Sequence, residues 1–195
     1  MKSSDLEPER CPWCTKSEIE KLYHDTEWGV PLYDDSKLFE FVILDGFQAG
    51  LSWKIILNKR ENFREALFGF DATQLANAGP EQVNIWMQNM GLVRNRSKLE
   101  GVIKNARAYL AVQAEFGSFS KYLWSFTNGT VIDHAYTSHT GVANVIPEAT
   151  AMSKDMKKRG FAFCGPTICY AFMQAAGLVN DHLVTCHRYQ IVKAH

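Results

Sequence analysis

Arg159-Gly160-Phe161-Ala162-Phe163-Cys164-Gly165-Pro166-Thr167 separates two stretches of helical periodicity, about 148–159 before it and 167–176 after it. Gly165 permits close backbone approach, Pro166 presets the φ of a first helical turn, and Thr167 stands where a capping side chain belongs. The free N–H groups at such a helix start make a seat for a phosphate. Lys154, Lys157, Lys158 and Arg159 place positive charge just before it. The unit reads as helix, hairpin, helix, a shape that grips a nucleic-acid backbone without reading bases. The same pattern also suits an ordinary helix turn with a solvated basic face.

Outward from this unit the chain continues to read as helix. Leu38, Phe39, Val42 and Ile43 fall on one face of 36–46, with Asp34, Asp35 or Ser36 to cap the start. Further helices are expected over 51–58, 61–68, from Pro80 to a stop at Gly91, over 97–116 and over 119–126. Trp86 and Trp124 lie on periodic faces and read as core. From 127 to 147 periodicity fails, and an irregular connection is expected, with Asn128-Gly129-Thr130 as a turn. Strand signals are weak throughout. The fold class is therefore all-α.

At 195 residues the chain is expected to form a single domain, 1–195, of two helical sub-lobes sharing one core. Hydrophobic content of 46% supplies that core, and zero net charge rules out a global attraction to nucleic acid. Phosphate contacts must come from local clusters such as Arg94-Asn95-Arg96-Ser97-Lys98. No run of ~18 apolar residues suggests a membrane span, and Met1-Lys2-Ser3-Ser4-Asp5 has no signal-peptide core. A cytoplasmic monomer without membrane contact is the expectation.

The stretch Leu44-Asp45-Gly46-Phe47-Gln48-Ala49-Gly50-Leu51-Ser52-Trp53 carries the chemistry. Asp45 follows an apolar run, and a charge is not placed there without a partner or a purpose. Trp53 offers a flat face, and Leu51 an apolar tip able to enter a base stack. Together they suggest a site that takes a flat, polar-edged ring out of water.

Five cysteines in a cytosolic chain argue against a disulfide framework. Cys164 and Cys169 sit among apolar residues and read as core. Cys11 and His24 near one end, with His182 and Cys186 near the other, offer two thiolates and two imidazoles, a set suited to tetrahedral zinc. Cys14 completes a C-x-x-C with Cys11 and stands as an alternative ligand, a redox partner or a bystander, and His187 competes with its neighbour. His134, His139 and His195 read as solvated.

Several blocks, in order along almost the whole chain, resemble the DNA-3-methyladenine glycosylase I family. They are Glu9-Arg10-Cys11, 23–31 from Tyr23 to Pro31, 48–53 from Gln48 to Trp53, Lys59-Arg60-Glu61-Asn62-Phe63, Asn105 to Leu110, Lys157 to Phe161, Thr167 to Tyr170 and Gln174 to His182. The resemblance implies a helix-hairpin-helix glycosylase fold. It also implies excision of 3-methyladenine from double-stranded alkylated DNA, with the free base as product, by a monofunctional enzyme with no lysine nucleophile. Structural zinc on Cys11, His24, His182 and Cys186, joining the two terminal segments, is implied likewise.

The implied base site comprises Asp45, Tyr23 and Trp53, with Trp13 and Trp28 beside it. Gly50 and Leu51 match the segment that fills the gap left by a flipped nucleotide, and Gly165, Thr167 and Lys158 fall on the DNA-backbone seat. Asp45 stands where the family generally has Glu, one C–C bond longer. That departure leaves a second reading open, a damage-binding protein of the same fold with weak excision. A thiol redox protein using Cys11 and Cys14 is a third. The region 130–147 matches poorly, and nothing is carried over there.

Overall fold

The computed structural model describes residues 7–194; His195 lies outside them. The chain is helical, with ten α-helices among the described residues. In order they are α1 (Glu18–Thr26), α2 (Asp35–Gln48), α3 (Trp53–Ala66), α4 (Ala72–Asn77), α5 (Pro80–Gln88), α6 (Arg96–Phe116), α7 (Phe119–Trp124), α8 (Pro147–Lys158), α9 (Pro166–Ala175) and α10 (Tyr189–Lys193). Two-residue strands β1 (Ile132–Asp133) and β2 (Val179–Asn180) pair in parallel.

α2 is the centre of the molecule. Leu38 to Phe47 are all buried along it, so it is enclosed on every side. It packs on α3, α6, α7 and α9. Its N-terminus is fixed by the Asp34 carboxylate, which accepts from Lys37 N at 2.9 Å. Asp35 does the same service for a different helix, accepting from Phe119 N and Ser120 N at 2.8 Å each. One acid thus locks the start of α7 to the start of α2. α4 and α5 close over α6 on the far side.

The hairpin between α8 and α9 is held by side chains reaching its backbone. Asn105 on α6 accepts from Ala162 N at 2.7 Å and donates to Ala162 O at 3.2 Å. The Ser153 hydroxyl donates to Cys164 O at 2.6 Å. At the tip Phe163 has φ +55°, a left-handed conformation uncommon for a bulky residue. Its ring lies against two helix glycines. A Cβ on Gly101 would stand 2.9 Å from the Phe163 ring, and one on Gly46 would stand 3.4 Å from Phe163 Cβ. Gly101→Ala must push the ring off α6 and is expected to cost about 1–3 kcal/mol. Urea unfolding of the two proteins measures it, and coincident curves would mean the hairpin is not anchored there.

Several expectations are corrected. The two helices expected over 51–58 and 61–68 are one helix, α3, which begins at Trp53 and ends at Ala66; nothing in the 59–60 sequence breaks it. The helix begun at Pro80 stops at Asn89, not Gly91. Thr167 does not cap α9: its N-cap is Gly165, without a side-chain bond. The connection 127–147 is only partly irregular, because Ile132 N donates to Leu178 O at 3.0 Å and ties it to the C-terminal segment. α1, α4 and α10 were not foreseen. Trp86 and Trp124 are buried as expected.

Candidate active site and metal centre

A cavity of about 490 Å³ opens between the N-terminal segment, α1, the α2–α3 junction and α9. That volume accommodates a purine, within the usual range for small-ligand sites. Trp13, Tyr23, Trp28 and Trp53 line it together with Asp45. The Tyr23 and Trp53 rings are tilted at 56° with centroids 5.3 Å apart, and Trp13 meets Trp28 edge-on at 5.1 Å. The five residues, drawn from three separate stretches of sequence, are therefore brought to one place.

The wall carries unmade hydrogen bonds. Trp13 Nε1, Tyr23 Oη, Asp45 Oδ2 and Trp53 Nε1 are buried without a partner among the described residues. Each such group costs about 1–3 kcal/mol when left unmatched. All four belong to residues that line the aromatic cavity. Asp45 is 3% exposed, and burial, with no cation beside it, pushes its carboxyl well above the usual range. Burial, and then the Asp45 charge, likewise hold the Tyr23 hydroxyl in its protonated form.

Between Gln48 and Trp53, both on the cavity wall, the chain makes a tight turn. Gly50 has φ +79°, with nothing near a Cβ there, and Leu51 N donates to Gln48 O at 2.7 Å. Leu51 is exposed. The turn is fastened from α6: Lys98 Nζ donates to Phe47 O at 2.8 Å and Ala49 O at 2.6 Å. A cation on the last carbonyls of α2 complements the negative end of that helix. Lys98 was expected among exposed DNA-facing cations and is instead buried.

Lys157 and Lys158 are exposed before the hairpin, whereas Arg159 is not free. It is paired with Asp155 at 2.5 Å and Glu115 at 2.6 Å and lies over the Phe116 and Tyr122 rings. Thr167 lines the cavity. His134 is not solvated either: its Nδ1 meets Asp181 Oδ1 at 2.6 Å. Asp181 also accepts from Tyr170 at 2.5 Å and Gln174 at 2.7 Å, so this buried acid is saturated and braces the connection against α9.

Sequence reading missed Glu20, Gln48 and Gln174 on the cavity wall, and Val142, Ala143 and Asn144 from the connection. For Glu20 a signal existed, its i, i+3 spacing from Tyr23 on one helix. For 142–144 there was none, since no periodicity governs an irregular segment.

Beside the cavity, Cys11, His24, His182 and Cys186 are buried with their ligand atoms all within 4.8 Å of one another. Cys186 Sγ lies 3.5 Å from His24 Nε2 and 3.6 Å from His182 Nδ1, and Cys11 Sγ lies 3.7 Å from His182 Nδ1. Thiolate and imidazole ligands on one tetrahedral ion stand roughly 3.6 Å apart, so the spacings fit. The far nitrogens are oriented too. His24 Nδ1 meets Asp25 Oδ1 at 2.8 Å, and His182 Nε2 meets Trp28 O at 3.1 Å. Such outer partners turn the free nitrogen of each imidazole inward. A hydrogen bond from Cys11, then the two imidazoles, draw Cys186 toward its thiolate.

Cys14 stands apart, its Sγ 3.1 Å from Cys11 O, with burial raising its thiol to about 11. His187 reaches Glu9 O at 3.0 Å instead of the cluster. A thiol nucleophile is not what this C-x-x-C provides. The cluster buttresses the cavity, since the His182 ring packs edge-on against Trp28 at 4.7 Å.

The chain matches the methyladenine glycosylase family over residues 13–189. It belongs to that family. It is similar to the DNA-3-methyladenine glycosylase of Haemophilus influenzae, 48% identical over 91% of this chain and 96% of that one. A crystal structure of 3-methyladenine DNA glycosylase I superposes with a TM-score of 0.90 at 45% identity, covering 92% of this chain and 98% of the other. A tyrosine-to-phenylalanine variant of such an enzyme in complex with 3-methyladenine also gives 0.90, at 38% identity and 92% and 97% coverage. No helix among the described residues is long and apolar enough to cross a membrane.

Proposed function

We propose that this methyladenine glycosylase acts as a single domain that hydrolyses the N-glycosidic bond of 3-methyladenine in alkylated duplex DNA. The observation that carries the reading is the open aromatic cavity with four unmatched polar atoms on its wall. A base must leave the duplex stack to be worked on, at a cost of a few kcal/mol. Leu51, exposed on its Gly50 turn, enters the gap, as apolar wedges do in kinked duplexes. The hairpin before α9, with Lys158 beside it and Gly165 at its end, seats the DNA backbone in helix-hairpin-helix fashion.

N3-methylation gives the base a positive charge in the nucleotide, and its glycosidic bond is weak for that reason. Tyr23 and Trp53 hold the cationic ring by stacking, worth roughly 0.5–2 kcal/mol. Asp45 accepts hydrogen bonds from its edge, and the ligand's charge offsets the burial that otherwise keeps this carboxyl protonated. The Asp side chain is one C–C bond shorter than Glu, so the contact requires a closer approach of the base or a bridging water. Water completes the hydrolysis. Among the described residues no lysine lines the cavity, which fits a monofunctional enzyme. Cys11, His24, His182 and Cys186 hold zinc, which supplies a cross-link between the chain ends and no catalytic chemistry.

Incubation with methylated duplex DNA is expected to release 3-methyladenine and leave an unbroken abasic strand. Strand cleavage would remove the monofunctional assignment. Absence of release, with intact binding of methylated duplex, would favour the damage-binding alternative.

A further inference from the structure

Asp45 is not the only unpaired acid on the cavity wall. Glu20 lies one helical turn before Tyr23 on α1, and both residues line the cavity. It is 9% exposed, and no Lys or Arg pairs with it among the described residues. Ser17-Glu18-Ile19-Glu20 has the spacing of a capping box, in which serine and glutamate side chains satisfy each other's backbone N–H. That arrangement is not made. Ser17 forms no side-chain cap bond, and its hydroxyl donates to Glu20 Oε2 at 2.6 Å. The acid is therefore not spent on starting the helix, and Oε1 has no hydrogen bond among the described residues.

With Oε2 held by Ser17 and the residue on the cavity wall, the carboxylate is placed to accept from a positively charged ring that enters there. We propose that Glu20 is a specificity-determining residue of the base cavity, a second acidic contact for the positively charged alkylated base. The proposal rests on the glycosylase reading and extends it. In a site whose other unpaired acid is the short Asp45, Glu20 supplies negative charge from α1 beside that from α2.

The test compares wild type, Glu20→Gln and Ser17→Ala. Single-turnover release of 3-methyladenine from methylated duplex DNA is expected to fall about tenfold in Glu20→Gln, the loss of one charged contact. Binding of unmethylated adenine, which carries no charge, should change less than about twofold by tryptophan fluorescence. Ser17→Ala removes the hydroxyl but keeps the acid, and should stay near wild type in release. If Glu20→Gln matches wild type, or Ser17→Ala falls as far as Glu20→Gln, the acid serves only the helix and the proposal is overturned with the glycosylase reading intact. If wild type releases no 3-methyladenine, that reading fails first and takes the proposal with it.

Discussion

Asp45→Asn is expected to slow release of 3-methyladenine from methylated DNA by about 10- to 100-fold, the effect of removing a charged hydrogen-bond acceptor from a buried site. The stability effect should run the other way. Burial raises the folded carboxyl of Asp45 above its unfolded value of about 4. Its contribution is fully favourable only below that unfolded value and is lost as pH rises through the folded one. Asparagine has the same shape and does not titrate. The variant should therefore melt with wild type near pH 4 and above it near pH 8. Excision by wild type should fall as pH is lowered, because the base binds the ionised acid, whereas the residual activity of Asp45→Asn should lose that slope. Calorimetry and single-turnover release at the two pH values check both signs. Parallel pH profiles for the two proteins would remove Asp45 from base recognition.

Most of the longer helices are readable in the sequence because periodicity is local. Periodicity located α2, α6 and the pair α8–α9, and capping chemistry offered Asp34 among the candidates for the start of α2. Tyr23, Trp53 and the metal ligands were reached through motif blocks, since residues 171 positions apart such as Cys11 and His182 share no local signal. What stayed hidden depends on tertiary contact. A lysine in a basic run reads as solvated, and nothing in Arg94 to Lys98 says that one ammonium turns inward to two α2 carbonyls. His134 reads as polar surface until Asp181, far along the chain, is seen to face it. The connection supplies cavity wall at Asn144 by position alone, without periodicity to announce it.

Loss of the metal is expected to be the most damaging change to the fold. Wild type should carry about one zinc per chain, and Cys186→Ser should lower the thermal midpoint by roughly 10 °C or more, since a loss of at least about 3–5 kcal/mol moves a domain of this size by that much. The reason is topological. Cys11 precedes α1 and Cys186 precedes α10, so the ion closes the chain on itself. Without it, buried sulfur and imidazole nitrogens keep contacts of 3.5–3.7 Å with no charge to balance them. Cys14→Ser provides the contrast, because that thiol serves only Cys11 O and should shift the midpoint by a degree or two. The damage should reach the cavity as well. His24 stacks on Trp28 with centroids 6.0 Å apart, and Trp13 packs on both. Chelator treatment that strips the zinc should therefore abolish binding of free 3-methyladenine, measured by tryptophan fluorescence, and added zinc should restore it. A protein that is metal-free as purified, or a Cys186→Ser variant that melts with wild type, would leave the four residues as a packed cluster and nothing more.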